Sequence, residues 1–103
     1  MYNPLPKELR LGFSDIHDIG LFAKEDIKRG HDFGISHIQV GKELYRTPVG
    51  GFINHSDDPN CTKSMFRVQV QNGGTGYKAW RLFAIHDIES GDELTLTYTF
   101  YKI

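Results

Sequence analysis

The sequence is short of cysteine, of net charge and of long apolar runs, and each shortage excludes something. Cys61 is the only cysteine among 103 residues, which rules out an intrachain disulfide and any cysteine-rich zinc cluster built by this chain alone. The fold must therefore stand on its hydrophobic core. With 12 Lys and Arg against 13 Asp and Glu, no net basic field exists to hold nucleic acid or an anionic membrane. No segment approaches the roughly 18 consecutive apolar residues of a membrane span. Met1 to Pro6 also lacks the charged start and apolar run of a secretory signal, so an intracellular location is expected. His17, His31, His37, His55 and His86 show no paired spacing, and one cysteine adds little, so no metal site is expected. These histidines read as ordinary surface or satisfied polar residues.

What is present is enough apolar material for one core: 39% hydrophobic residues and 13% aromatics. At this length a single domain over residues 1–103 is expected. The clearest periodicity is Met65 to Val70, where Phe66, Val68 and Val70 alternate with exposed types at period two, the mark of a half-buried strand. Asn72-Gly73-Gly74 follows, then the aromatic-rich Tyr77 to Phe83, so the pair reads as a hairpin. Shorter strands are expected at Leu9 to Phe13, Leu21 to Ala23, Phe33 to Ile38, Phe52 to Ile53 and Leu94 to Tyr98, between clusters of Gly, Pro, Asn and Asp. No long amphipathic helix is expected.

Part of the chain repeats. Leu21-Phe22-Ala23, Asp26-Ile27 and Gly30 recur as Leu82-Phe83-Ala84, Asp87-Ile88 and Gly91, with Leu82 61 positions beyond Leu21 and Gly91 61 beyond Gly30. The unit reads as a strand ending in Phe-Ala, a tight turn closed by a glycine, and a further strand. Two such corners would frame the domain, and they carry no chemistry themselves.

Two segments carry unusual chemistry. Gly50 to Cys61 opens with apolar residues and continues Asn54-His55-Ser56-Asp57-Asp58-Pro59-Asn60. Its Ser, His and Asp are the residue types of a hydrolase triad, but sequence neighbours seldom point at one another, and Ser56 lacks the glycine-flanked elbow of such enzymes. The second segment, Gly91-Asp92-Glu93-Leu94-Thr95-Leu96-Thr97-Tyr98-Thr99-Phe100-Tyr101, alternates like a strand and ends in three aromatics. They fit either a core or the wall of a narrow channel for an alkyl-ammonium group, and composition does not choose.

Together the two segments resemble the signatures of the SET-domain protein lysine methyltransferases. Phe52 to Cys61 is similar to the family's Phe, hydrophobic, Asn-His-Ser, two variable positions, Pro-Asn-Cys pattern, and Gly91 to Tyr98 to its second signature. Asp18-Ile19-Gly20-Leu21-Phe22-Ala23 resembles the family's opening Gly-x-Gly motif. The resemblance implies a mostly β fold, a β-clip of short curved sheets in which the C-terminal segment makes a knot-like crossing past Asn54 and His55. It implies methyl transfer from S-adenosylmethionine, leaving S-adenosylhomocysteine, to a lysine of a protein substrate, with no metal.

By position, Asn54 and His55 would hold the adenine end of the cofactor through backbone groups and packing, with His17, Asp18, Ile19 and Gly20 along its methionine part. Tyr98 matches the active-site tyrosine. The carbonyls of Gly50 and Ile53 match those facing the transferred methyl, while Phe100, Tyr101 and Tyr45 are candidates for the lysine channel. The activated sulfonium leaves the site to align a neutral amine and exclude water. A lysine with a reference pKa of about 10.4 must first lose its proton, which a cationic, apolar setting favours.

The match departs in three places. Asp18 stands where the family has the first glycine, and a side chain there would crowd the cofactor or demand strained backbone. The stretch from Gln39 to Val49 is short where relatives carry an insert, so a shallow peptide groove is expected. No cysteine-rich flap follows the second signature, so the substrate or a second copy of the chain, in a homodimer, is expected to complete the channel. These departures define the alternative, a catalytically inactive SET-like module that binds cofactor or peptide.

Overall fold

The computed structural model describes residues 4–69 and 76–97. Its strands are β1 (Leu9–Phe13), β2 (Ile19–Ala23), β3 (Asp32–Val40), β4 (Glu43–Arg46), β5 (Asn54–His55), β6 (Cys61–Val68), β7 (Tyr77–Ala84) and β8 (Thr95–Leu96), with one short helix, α1 (Pro48–Gly51), between β4 and β5. β1 and β2 form a two-stranded antiparallel sheet, and the rest form a six-stranded sheet in the order β4-β3-β7-β6-β8-β5. The architecture is the mostly β SET fold expected. No helix among the described residues is long and apolar enough to cross a membrane.

The expected hairpin is β6 and β7, paired antiparallel from Cys61 opposite Ala84 to Val68 opposite Tyr77. Phe66 and Val68 are half-buried while Met65 and Arg67 face solvent, as the period-two pattern requires. Val70 and Asn72-Gly73-Gly74 lie outside the described residues. Phe52–Ile53, expected as a strand, is not one. Thr47 caps α1, its Oγ1 accepting from the Gly50 N–H at 3.4 Å, and Pro48 is preset for the first turn. Phe52 then closes the helix in helical backbone, φ −112° and ψ −1°, so the strand starts only at Asn54. The short stretch Gln39 to Val49 holds the end of β3, all of β4 and the start of α1.

The core gathers Leu9, Leu21, Ile53, Leu82, Ile88 and Leu94, each fully buried, with Phe33, Val49 and Leu96 around them. Burial of each such side chain stabilises by about 1.5–3 kcal/mol. The two repeat units meet face to face in this core. Gly30 and Gly91 both take left-handed backbone, φ 89° and 95°, and each donates its N–H across to the other unit, to Ala84 O and Ala23 O respectively, both at 2.8 Å.

One irregularity bears on the site. The register of β3 on β7 slips between Ile35 and His37. Such a bulge turns one residue out of alternation, and here the consecutive Ser36 and His37 are both buried. Ser36 O, freed from the ladder, accepts the Thr47 N–H at 3.0 Å and so anchors the start of α1.

Candidate functional site

The C-terminal segment threads between the two halves of the Asn54–Cys61 loop. β8 pairs parallel with β5, Asn54 beside Thr95 and His55 beside Leu96, and on its other side Leu96 lies against Cys61 of β6. Asn60 clasps this segment. Its Oδ1 accepts the Thr95 N–H at 2.8 Å, its Nδ2 donates to Glu93 O at 2.9 Å, and its own N–H donates to Thr95 Oγ1 at 3.2 Å. Ser56 adds two contacts, its N–H donating to Leu96 O at 3.1 Å and its carbonyl accepting the Thr97 hydroxyl at 2.8 Å. Asparagine suits such a clasp because its amide presents donor and acceptor together.

Asn54 points the other way, into the loop that joins β1 to β2. Its Nδ2 lies 3.1 Å from Ser14 Oγ, 3.1 Å from His17 O, 3.3 Å from Ile19 O and 2.8 Å from Glu93 Oε2. Ser14 Oγ in turn donates to the Glu93 carboxylate at 2.8 Å and accepts the N–H groups of Ile16 and His17. A Cβ at Gly20 would collide with that carboxylate, so a larger residue there would have to displace Glu93 from its bonds. The Asn54 side chain therefore shapes the 14–20 loop, while the backbone of Asn54 and His55 runs beside β8. Ser14, Glu93 and Asn60 were not singled out from sequence, because bonds between segments this far apart leave no local pattern.

Within the loop, Asp18 is the one described non-glycine residue with positive φ, 41°. It holds the left-handed backbone that the first glycine of the motif would supply, a region aspartate tolerates better than most residues. The side chains of His17 and Asp18 are exposed and 3.4 Å apart, Ile19 is exposed and Gly20 is buried.

At the other end of the loop bearing Asn54, Gly50 and Ile53 are buried. A Cβ on Gly50 would strike Ser36 O and sit 3.0 Å from His37 Cε1. His37 is a satisfied polar residue of the expected kind, but a buried one: its Nδ1 is 2.9 Å from Ser36 Oγ, and burial, with the nearby charges of Lys63 and Arg46, pulls its pKa down to about 4. Burial also lowers the Lys63 pKa. It pushes the Cys61 thiol up to about 12 against the pull of the Thr95 backbone hydrogen bond, which makes Cys61 a poor nucleophile. Tyr45 lies exposed on edge strand β4, opposite Ile38. Tyr98, Phe100 and Tyr101 lie outside the described residues.

A cleft of about 340 Å³ opens beside the crossing, lined by Pro59, Cys61, Thr62, Lys63, Ile85, Leu96 and Thr97. Its lining contains none of His17, Asp18, Ile19, Gly20, Asn54 or His55. The hydrolase types at Ser56 form no triad: Ser56 Oγ accepts the Asp58 N–H at 3.0 Å, and His55 Nε2 lies 3.0 Å from Asp57. Among the described residues no group of three His, Cys, Asp or Glu is placed to hold a metal ion.

The SET domain profile matches residues 35–99. The chain belongs to the SET-domain family. It is 34% identical over 81 residues to an H3 lysine-4 specific histone-lysine N-methyltransferase of Emericella nidulans, which covers 79% of this chain and 6% of that protein. It is 30% identical to a protein of the same description from Schizosaccharomyces pombe, over 91% of this chain and 13% of that one. This SET domain thus spans a small fraction of the curated relatives it matches. Among solved structures, a candidate histone methyltransferase of Plasmodium falciparum superposes with a TM-score of 0.71 at 21% identity, over 94% of this chain and 97% of that chain. Polycomb Repressive Complex 2 of Chaetomium thermophilum gives 0.65 at 22% identity, over 87% of this chain and 15% of that one. Both likenesses are of fold.

Proposed function

We propose that this SET domain, as one minimal unit over residues 1–103, transfers a methyl group from S-adenosylmethionine to a lysine amine of a protein substrate inside the cell. The observation that carries the reading is the parallel seating of Thr95-Leu96 on Asn54-His55, which runs the peptide leading to Tyr98 along the loop that bears both candidate sets of site residues. The relatives' names make a histone tail the first substrate to try.

Two features support the cofactor reading: Asn54, Ser14 and Glu93 hold the 14–20 loop in shape, and Asp18 takes the backbone conformation of a glycine. His17 to Gly20 would flank the methionine part and the Asn54-His55 backbone the adenine end. When bound, S-adenosylmethionine supplies a methyl activated by a sulfonium. The chain's task would then be to orient a neutral amine, and the Gly50 and Ile53 carbonyls would face the transferred methyl through weak C–H to oxygen contacts. The Tyr98 hydroxyl would orient the amine; with a reference tyrosine pKa of about 10 little phenolate is present at neutral pH, so it is not a ready base. Phe100, Tyr101 and Tyr45 are the aromatic candidates for the channel walls.

Calorimetric titration with S-adenosylmethionine and S-adenosylhomocysteine, followed by transfer of labelled methyl to histone H3 peptide, tests the proposal. Tyr98→Phe is expected to lower turnover far more than cofactor affinity, and unchanged turnover would remove Tyr98 from its role. Cofactor binding with no methyl transfer to any lysine substrate would favour the non-catalytic module, a reading to which the Asp18 side chain in the cofactor loop lends support.

A further inference from the structure

The β6–β7 hairpin is one-sided in charge. From Pro59 to His86 the sequence holds Lys63, Arg67, Lys78 and Arg81 and no Asp or Glu. Arg81 is held by Asp32 of β3 at 2.7 Å. Arg67 and Lys78 form no ion pair among the described residues, yet they stand directly opposite one another, and Lys78 also faces Gln39 of β3. Residues so paired share a face of the sheet, with Cβ atoms about 4.5–5.5 Å apart, and like charges there oppose the pairing. Gln39, Lys78 and Arg67 thus make one row across three strands, two cations and an amide.

That row borders a cavity of about 120 Å³, lined by Gln39, Gly41, Arg67, Gly76, Tyr77 and Lys78. The volume falls below the roughly 300 Å³ of a drug-sized ligand site and suits one small group. Gln39 Nε2 donates one hydrogen to Gly41 O at 3.3 Å, and its amide carries a second. A Cβ on Gly76 would strike Val68 O, so the backbone beside the cavity lies tight against β6.

We infer that this cavity binds a phosphate group, free or as the phosphomonoester of a modified side chain, between the Arg67 guanidinium and the Lys78 ammonium. Two cations match the charge of a phosphate, about −1.5 to −2 near neutral pH, better than that of one carboxylate. The planar guanidinium presents paired N–H donors to two oxygens, the ammonium adds a point charge, and the second Gln39 hydrogen serves another oxygen. A bound dianion turns the repulsion between the opposed cations into attraction toward a common centre. None of the residues assigned to methyl transfer lines this cavity, so the inference is independent of that reading.

The test titrates isotope-labelled protein, in phosphate-free buffer at an ionic strength fixed with sodium chloride, with inorganic phosphate and separately with N-acetyl-O-phosphoserine amide. The Arg67 Nε–H, the Gln39 side-chain amide and the Gly76 amide are expected to shift together and saturably. Saturation by either probe supports the inference, and the tighter one names the source of the phosphate. Arg67→Gln and Lys78→Gln should each weaken binding about three- to tenfold, the worth of a charge-assisted hydrogen bond near solvent. Arg81→Gln, on the opposite face of β7, should leave it unchanged. Saturating phosphate should also raise the melting temperature of wild type more than that of Lys78→Gln. The wild-type titration needs no variant, so a misfolded variant leaves the answer intact. Shifts that stay linear in phosphate, an equal loss in Arg81→Gln, or an equal rise in melting temperature in Lys78→Gln would each overturn the inference and make Arg67 and Lys78 a solvated cationic face.

Discussion

Ile27 and Ile88 exchange both of their backbone hydrogen bonds, at 2.7 Å in one direction and 2.8 Å in the other, although they occupy equivalent positions in two repeat units far apart in sequence. The reciprocity extends to side chains. Asp87 Oδ1 accepts the Arg29 N–H at 2.8 Å, and the equivalent Asp26 Oδ1 accepts the Ser90 N–H at 2.9 Å. Each unit thus supplies the partners that the other's turn lacks. Asp26→Ala and Asp87→Ala should each destabilise by about 0.5–1.5 kcal/mol, in near-equal amount, whereas Asp58→Ala should stay within about 0.5 kcal/mol. Urea denaturation measures all three. One aspartate carrying the whole effect would show that the symmetry of the bonds is not a symmetry of energies.

The cluster of Ser14, Asn54 and Glu93 makes a sharper demand on chemistry. Asn54→Asp changes little in size but replaces an amide donor with a second carboxylate against Glu93, 2.8 Å away in the wild type, and against the carbonyls of His17 and Ile19. We expect a loss of about 2–3 kcal/mol at pH 7, since a buried site loses its donor and gains a like charge. Part should return in acid, where protonation relieves the like-charge contact. Unfolding curves of wild type and variant at pH 7 and in acid decide; a variant as stable as wild type at pH 7 would mean that Asn54 does not hold the loop.

How much of this was legible in the sequence depended on range. The β6–β7 hairpin was readable because alternation and a glycine cluster are local, and the repeat because its two turns use the same residues. The strand order was not, since nothing local in Thr95 says that it lies between Asn54 and Asn60. β4 and α1 went unexpected: Glu43 to Arg46 is only four residues and mostly exposed, so no face alternates, and α1 is set by one threonine cap. Phe52 looked like a strand residue because apolar type was legible and backbone angle was not. The burial of His37 was not legible because the bulge that buries it breaks the alternation from which burial is read.

Asp18 separates backbone strain from contact. At φ 41° with an exposed side chain, its replacement by glycine relieves a modest strain but frees the unfolded chain, and these oppose one another. Asp18→Gly and Asp18→Asn should therefore lie within about 0.5 kcal/mol of wild type. A β-branched residue cannot share the tolerance, so Asp18→Val should lose about 1–2 kcal/mol. Thermal unfolding of the three variants is the check, and a neutral Asp18→Val would mean that the loop relaxes out of the left-handed region.

The last prediction concerns acid. His37 is held near pKa 4, below the ordinary 6.5 that it regains on unfolding, so between these values the unfolded chain binds a proton that the folded one refuses. Stability then rises with pH through that window. The contribution of His37 is fully present above about pH 6.5, falls as the pH drops toward 4, and is flat below. A shift of this size corresponds to roughly 3–4 kcal/mol across the window. Asp32 acts lower. Burial works to raise its pKa, but the Gly34 N–H and the Arg81 guanidinium outweigh that and hold it below 3.8, so its contribution is lost only as the pH falls further. The two groups are separable by variant: His37→Gln should flatten the stability profile between pH 4 and 6.5 and leave the lower limb, while Asp32→Asn should do the reverse. Urea midpoints taken every half unit from pH 3 to 8 would show this, and a slope unchanged in His37→Gln would mean that His37 titrates alike in the folded and unfolded chain.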